Sequence, residues 1–206
     1  MKFECSTATD KNLCEGLNHE FLRCHDSFKE FEVFATLTVT KGPDKRLSYL
    51  AYNAYARFLH HLYEFMLAAY CRERGDTKAT SKKGSFVYTD GYIEHHAQRV
   101  LTNKREAILN GTAPAWENSL SAYPEKIPQD FGSTLRRMRN SLSGHVDPER
   151  PLKNLTAYFK DHHGFLYLLY RDCMYQWGPK DGEFPNLQEI TEFSIQLRDS
   201  YAVPTS

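Results

Sequence analysis

Apolar residues recur along this chain in steps of three and four, the spacing that gathers side chains on one face of an α-helix. From about Lys11 to Thr38 the rhythm is Leu13, Leu17, Phe21, Cys24, Phe28, Phe31 and Ala35, with Asp10 placed to serve as N-cap. The Ala-Thr-Leu-Thr-Val-Thr run at 35–40 is β-branched and also suits a short strand. Asp44 caps a second predicted helix to about Arg74. Its stripe of Leu47, Ala51, Ala54, Phe58, His61, Phe65 and Ala68 is widened by Leu50, Leu62 and Met66, as in a deeply buried helix. Residues 76–90, rich in Lys, Thr and Ser, read as a surface loop in which Phe86-Val87-Tyr88 suits a short extended piece. A third helix is predicted from Asp90 to Leu109, ended by Asn110-Gly111. Residues 111–130 carry three prolines, Trp116 and Tyr123 without a regular pattern, which suggests a functional lid or an irregular crossing.

A fourth helix spans about 130–145, with Asp130 as its cap and Phe131, Leu135, Met138 and Leu142 as its stripe. Pro148 and Pro151 follow. Leu152 to Trp177 repeats Leu152, Leu155, Phe159, His162, Leu166, Leu169 and Cys173, and a last helix covers Asn186 to Tyr201. Five to six helices with little strand predict a single all-α bundle over residues 1–206. Its expected core includes Phe58, Phe65, Leu135, Met138, Leu142, Leu155, Phe159 and Leu166.

Composition narrows the partners. Lys+Arg and Asp+Glu are 26 each, so the formal net charge is zero, and nucleic acid cannot be coated by bulk charge. Contact with RNA would need a local patch, and Arg136, Arg137 and Arg139 are the densest one; Lys78, Lys82 and Lys83 are further candidates. The five cysteines form no Cys-x-x-Cys pair, which fits free thiols in a reducing compartment. With no apolar run long enough to span a membrane and no apolar leader at the N-terminus, the expectation is a cytoplasmic protein without a membrane partner.

The chemistry concentrates at Leu135–Asp147, which reads L-R-R-M-R-N-S-L-S-G-H-V-D. At about 100° per residue the four apolar positions of this helix lie within roughly 60° of one another. In an ideal helix Arg139 sits about 80° to one side of Phe131 and His145 about 40° to the other. A guanidinium, an amide and an imidazole beside an apolar stripe suit phosphate recognition and proton transfer. The plainer alternative is a solvated basic face, with His145 favoured at a helix C-terminus by the helix dipole.

Arg139-Asn140-Ser141-Leu142-Ser143-Gly144-His145 resembles the signature of the HEPN superfamily, small helical bundles of which many are metal-independent endoribonucleases. The family pattern is an Arg, usually followed by a polar residue such as Asn, with four to six residues in all between the Arg and a His. The five residues between Arg139 and His145 fall within that range but exceed the commonest four. The resemblance implies RNA cleavage by the substrate's own 2′-hydroxyl, with no cofactor and no metal. His145 would be the general acid or base, Arg139 would bind the scissile phosphate, and Asn140 would orient either. Arg136, Arg137, Ser141 and Ser143 would add substrate contacts. It also implies a homodimer whose two motifs meet, since Arg139 and His145, about 120° apart on one helix, are poorly placed to grip one phosphate alone. A toxin or defence role with an antitoxin partner belongs to the same expectation. The competing reading is a non-catalytic module that binds a nucleotide or a partner protein.

Three adjacent histidine pairs remain: His60/His61, His95/His96 and His162/His163, with Glu64 following the first. A two-metal bundle site needs Glu-x-x-His and further inward carboxylates, whereas the order here is His-x-x-Glu. His61 and His162 occupy core spacing, either as neutral hydrogen-bonded interior groups or as neighbours of the motif helix that tune it.

Overall fold

The computed structural model describes residues 5–42, 44–144, 155–178 and 188–201. Six α-helices and no strand occur among the described residues: α1 Ala8–Lys41, α2 Lys45–Arg74, α3 Phe86–Leu109, α4 Phe131–Arg139, α5 Leu155–Trp177 and α6 Gln188–Tyr201. The all-α bundle read from the periodicity is the observed architecture. None of these helices is long and apolar enough to cross a membrane.

The long α1 and α2 form a hairpin that supplies most of the core. Asp44 caps α2 as expected, its Oδ1 accepting from the Leu47 amide at 2.8 Å. Gly75 ends the helix in the left-handed region, at φ 60°, while the amides of Gly75 and Asp76 reach back to the carbonyls of Arg72 and Cys71. The two stripes interlock through aromatic rings. Phe28 lies 4.9 Å from Phe58 and 4.6 Å from Tyr170 of α5 between ring centroids, offset and tilted as ring quadrupoles favour. Leu17, Phe21 and Cys24 of α1 and Phe58, Leu59 and Leu62 of α2 are fully buried.

Several local expectations give way to this packing. The cap of α1 is Thr7, whose hydroxyl accepts from the Asp10 amide, and Asp10 instead pairs with Arg72. Residues 35–40 are helical, and so are Phe86, Val87 and Tyr88. β-Branched residues lower helix propensity only slightly, and an established helix carries them. Asp130 precedes α4, but at φ 56° its side chain caps nothing. Phe159, expected in the core, keeps 37 % of its surface exposed while edging onto Tyr55. Met138 and Leu155 pack at the core's margin, and the other five expected core residues are buried. The irregular stretch before α4 contains two short 3-10 turns, 115–117 and 120–122. Glu117 fastens it to Lys104 and Arg171, which makes it a strapped crossing; Trp116 projects outward, 84 % exposed.

Helix α4 is seated very closely on α3. A Cβ at Gly132 would collide with the Asp90 carbonyl, so glycine is what lets the two backbones approach. The Gly132 amide donates to Glu94 of α3 at 3.2 Å. Phe131 and Leu135 are fully buried on either side of that contact. The close backbone approach, the Gly132–Glu94 hydrogen bond and these two buried side chains together fix the height and rotation of the motif helix.

Candidate functional site

Arg136 and Arg139 leave α4 toward α3 and α2. Arg136 forks onto Asp90 with three hydrogen bonds, from Nε at 3.0 and 3.1 Å and from Nη2 at 2.9 Å. Asp90 is buried, and the paired guanidinium compensates its charge. The same guanidinium lies 4.5 Å from the centroid of Phe86, one turn before Asp90 on α3. Arg136 is therefore a brace between two helices more than the free substrate contact expected of it.

Arg139 meets a face of α2 built at helical spacing by His60, Tyr63, Glu64 and Leu67. Its guanidinium pairs with Glu64, rests 5.1 Å from the Tyr63 ring centroid, and donates to Asn140 Oδ1 at 2.7 Å. Burial raises the Tyr63 hydroxyl to about 12 and works against the charge of Arg139, which an arginine keeps at any physiological pH. Burial, and then the nearby charge of Arg139, hold His60 below the ordinary histidine value. His60 Nδ1 and Arg139 Nε are both buried without a hydrogen-bond partner among the described residues. Unsatisfied polar atoms of this kind are rare in folded proteins, and here two belong to neighbouring groups.

Immediately after Arg139 the α-helix widens into a π turn over Asn140–Gly144. The Ser141 hydroxyl donates back to the carbonyls of Arg137, at 2.8 Å, and Met138, at 3.1 Å. Back-bonding of this type loosens a helical ladder, and π turns often mark functional sites. An unbroken motif helix to 145 was expected. The 100° step does not hold through a π turn, so the angle between Arg139 and His145 read from an ideal helix no longer applies.

Arg139 and Asn140 line a pocket of about 320 Å³ together with Tyr63, Lys82, Phe86 and Arg136. Three cations line it and no carboxylate does. Lys82 is the loop lysine that joins the site; Lys78 and Lys83 do not line it. Arg137 is exposed, donates to Thr134 at 2.9 Å, and stands apart from the pocket. Ser141 is turned to backbone carbonyls, and the Ser143 side chain and all of His145 lie outside the described residues. In the sequence His60 and Glu64 stand out only as a histidine pair with a following acid, Phe86 only in a suggested extended piece and Tyr63 not at all, and none of the four is linked there to Arg139. The His60-x-x-x-Glu64 spacing was the available signal for two of them, because it sets both on one face of α2.

The other histidines are occupied elsewhere. His61 Nδ1 pairs with Glu20 at 2.6 Å, and His162 Nδ1 bonds the Tyr158 carbonyl at 3.2 Å while its ring stacks on Phe131 of α4. Ligand atoms of Cys5, Asp10 and Cys14 lie within 4.8 Å of one another. That cluster is ill suited to a metal: Asp10 is engaged by Arg72 at 2.7 Å, and burial pushes the Cys14 thiol up to about 12. No family model, curated protein or solved structure matches this chain.

Proposed function

We propose that the chain is a HEPN-type endoribonuclease that needs no metal, cutting single-stranded RNA through attack of the 2′-hydroxyl on the adjacent phosphorus. The observation that carries this is the position of Arg139 and Asn140 in a pocket bearing three cations and no acid. Glu64 and Asp90 compensate Arg139 and Arg136 from outside the lining, so the excess charge of the lining is that of Lys82, and the planar Arg139 fork suits a phosphate that takes the place of Glu64. Arg139 would hold the scissile phosphate and offset charge that develops on its oxygens. The 2′-oxygen bonds to phosphorus as the P–O5′ bond breaks, leaving a 2′,3′-cyclic phosphate and a 5′-hydroxyl. His145, assigned from the sequence motif, would carry the proton on one side of this exchange, since its type titrates near neutrality. The homodimer and the antitoxin partner rest on the resemblance alone.

A binding module without catalysis is the second reading. It is favoured by the Glu64 carboxylate already seated on Arg139, which compensates the cation in the free protein. Incubating purified protein with RNA in EDTA separates the two. Cleavage to cyclic-phosphate ends is expected, reduced by roughly a hundredfold or more in Arg139→Ala and in His145→Ala. Arg139→Lys should fail as well, because a point charge does not replace the fork. Loss of activity in EDTA, or undiminished cleavage in both alanine variants, overturns the proposal. Binding without any cleavage selects the second reading.

A further inference from the structure

The pocket beside Arg139 has an aromatic wall, and nothing in the phosphate chemistry requires one. Phe86 stands at the first turn of α3 with 46 % of its surface exposed. A single exposed phenylalanine is ordinary. This one is braced: Arg136 lies over the ring at 4.5 Å, and Arg136 is pinned by three hydrogen bonds to Asp90, one helical turn after Phe86. The ring and the guanidinium form one rigid platform on the same pocket that Arg139, Asn140 and Lys82 line. Arg136 covers one face of the ring, and a base on the other face with its phosphate toward Arg139 and Lys82 would match the two halves of a nucleotide.

We propose that Phe86 is the base-stacking platform of a mononucleotide subsite, receiving an unpaired base whose phosphate lies against Arg139. The inference rests on Arg139 as a phosphate-binding group and deepens that reading by adding a splayed base held beside the phosphate. A volume of about 320 Å³ is small for a ligand site and fits one nucleotide. Bases inside a duplex are already stacked on their neighbours and cannot reach such a ring. Every base has a π face, so the subsite tolerates any base sequence and selects for strand state.

The test uses a short 2′-O-methyl oligoadenylate with one 2-aminopurine, which cannot be cleaved, and follows the change in its fluorescence as the base leaves its neighbours on binding. Phe86→Ala is expected to raise the dissociation constant by roughly tenfold or more, as loss of one base–aromatic stack does. Phe86→Trp should restore it. Trp116→Ala, which removes an exposed aromatic outside the pocket, should leave it unchanged. A strand of the same length lacking every base, read by competition with the fluorescent strand, should bind weakly, and equally weakly to wild type and Phe86→Ala. An equal Phe86→Ala penalty on the intact and abasic strands, or no penalty on either, overturns the subsite, as does a wild-type protein that binds neither. Because the probe cannot react, Phe86-dependent binding alongside uncut ordinary RNA would keep the subsite and discard the nuclease.

Discussion

Arg139 of the motif helix and Glu64 of α2 form an ion pair at the edge of the cation-lined pocket. A phosphate that reaches Arg139 therefore competes with a carboxylate that is already there. Neutralising that competitor should help the ligand: Glu64→Gln is expected to tighten binding of a non-cleavable RNA strand by roughly threefold to tenfold. That is about the ~1 kcal/mol an incompletely buried ion pair contributes. Titration of the variant and wild type at one fixed salt concentration checks it. Weaker binding would mean that Glu64 orients Arg139 for the ligand.

Asp90 supports the site from beneath without lining it. Its carboxylate is the only described acceptor for the Arg136 fork, and that fork steadies Phe86. Asp90→Asn leaves a guanidinium facing an amide, so the fold should lose about 2–3 kcal/mol, somewhat under the cost of breaking a fully buried pair. Urea denaturation reads that loss. RNA binding should weaken as well, and a stability change with binding untouched would show that the platform does not depend on its brace.

Gly132 is the second support. Its missing Cβ is what lets α4 lie against the Asp90 carbonyl. Gly132→Ala forces α4 outward, at a cost of roughly 1–3 kcal/mol for overpacking, despite alanine being the better helix former. A stabilised Gly132→Ala variant would contradict the close approach.

The helices were legible because their stripes are long and strictly periodic, as in Leu47 to Ala68 and Leu155 to Cys173. Periodicity does not report where a stripe meets another, so Phe159 read as core although it sits at the rim. The extended reading of Phe86-Val87-Tyr88 followed residue preference, and the helix beginning there overrode it. Arg139 and Asn140 were found because they are adjacent in sequence. Their neighbours Tyr63, Glu64 and Lys82 are more than fifty residues away and converge only through the fold. The π turn left no periodic signature; the backward hydrogen bonds of the Ser141 hydroxyl accompany it and are not visible in apolar spacing.

The histidines make the fold sensitive to acid. Burial lowers His25, His60, His96, His162 and His163 below the ordinary value of 6.5. For His163 burial is the sole cause: it stacks on Phe159 at 4.3 Å and shares a 3.2 Å hydrogen bond with the Tyr55 hydroxyl. In the unfolded chain these rings take up a proton as pH falls through about 6.5, while in the folded chain they resist until lower pH. Between those two values the unfolded state binds more protons, so stability falls as pH falls and is retained above the unfolded value. The melting temperature should therefore drop between about pH 7 and about pH 5, a range that lies above 4.5, the unfolded value of carboxylates such as Glu20. His163→Gln keeps a polar partner for Tyr55 and removes one titrating ring, so it should lower stability at pH 7 but narrow the gap between the two pH values. Thermal denaturation of both proteins at each pH decides it. A wild-type melting temperature that does not fall on acidification, or a gap that His163→Gln leaves untouched, would show that burial of this imidazole is not what the folded state loses in acid.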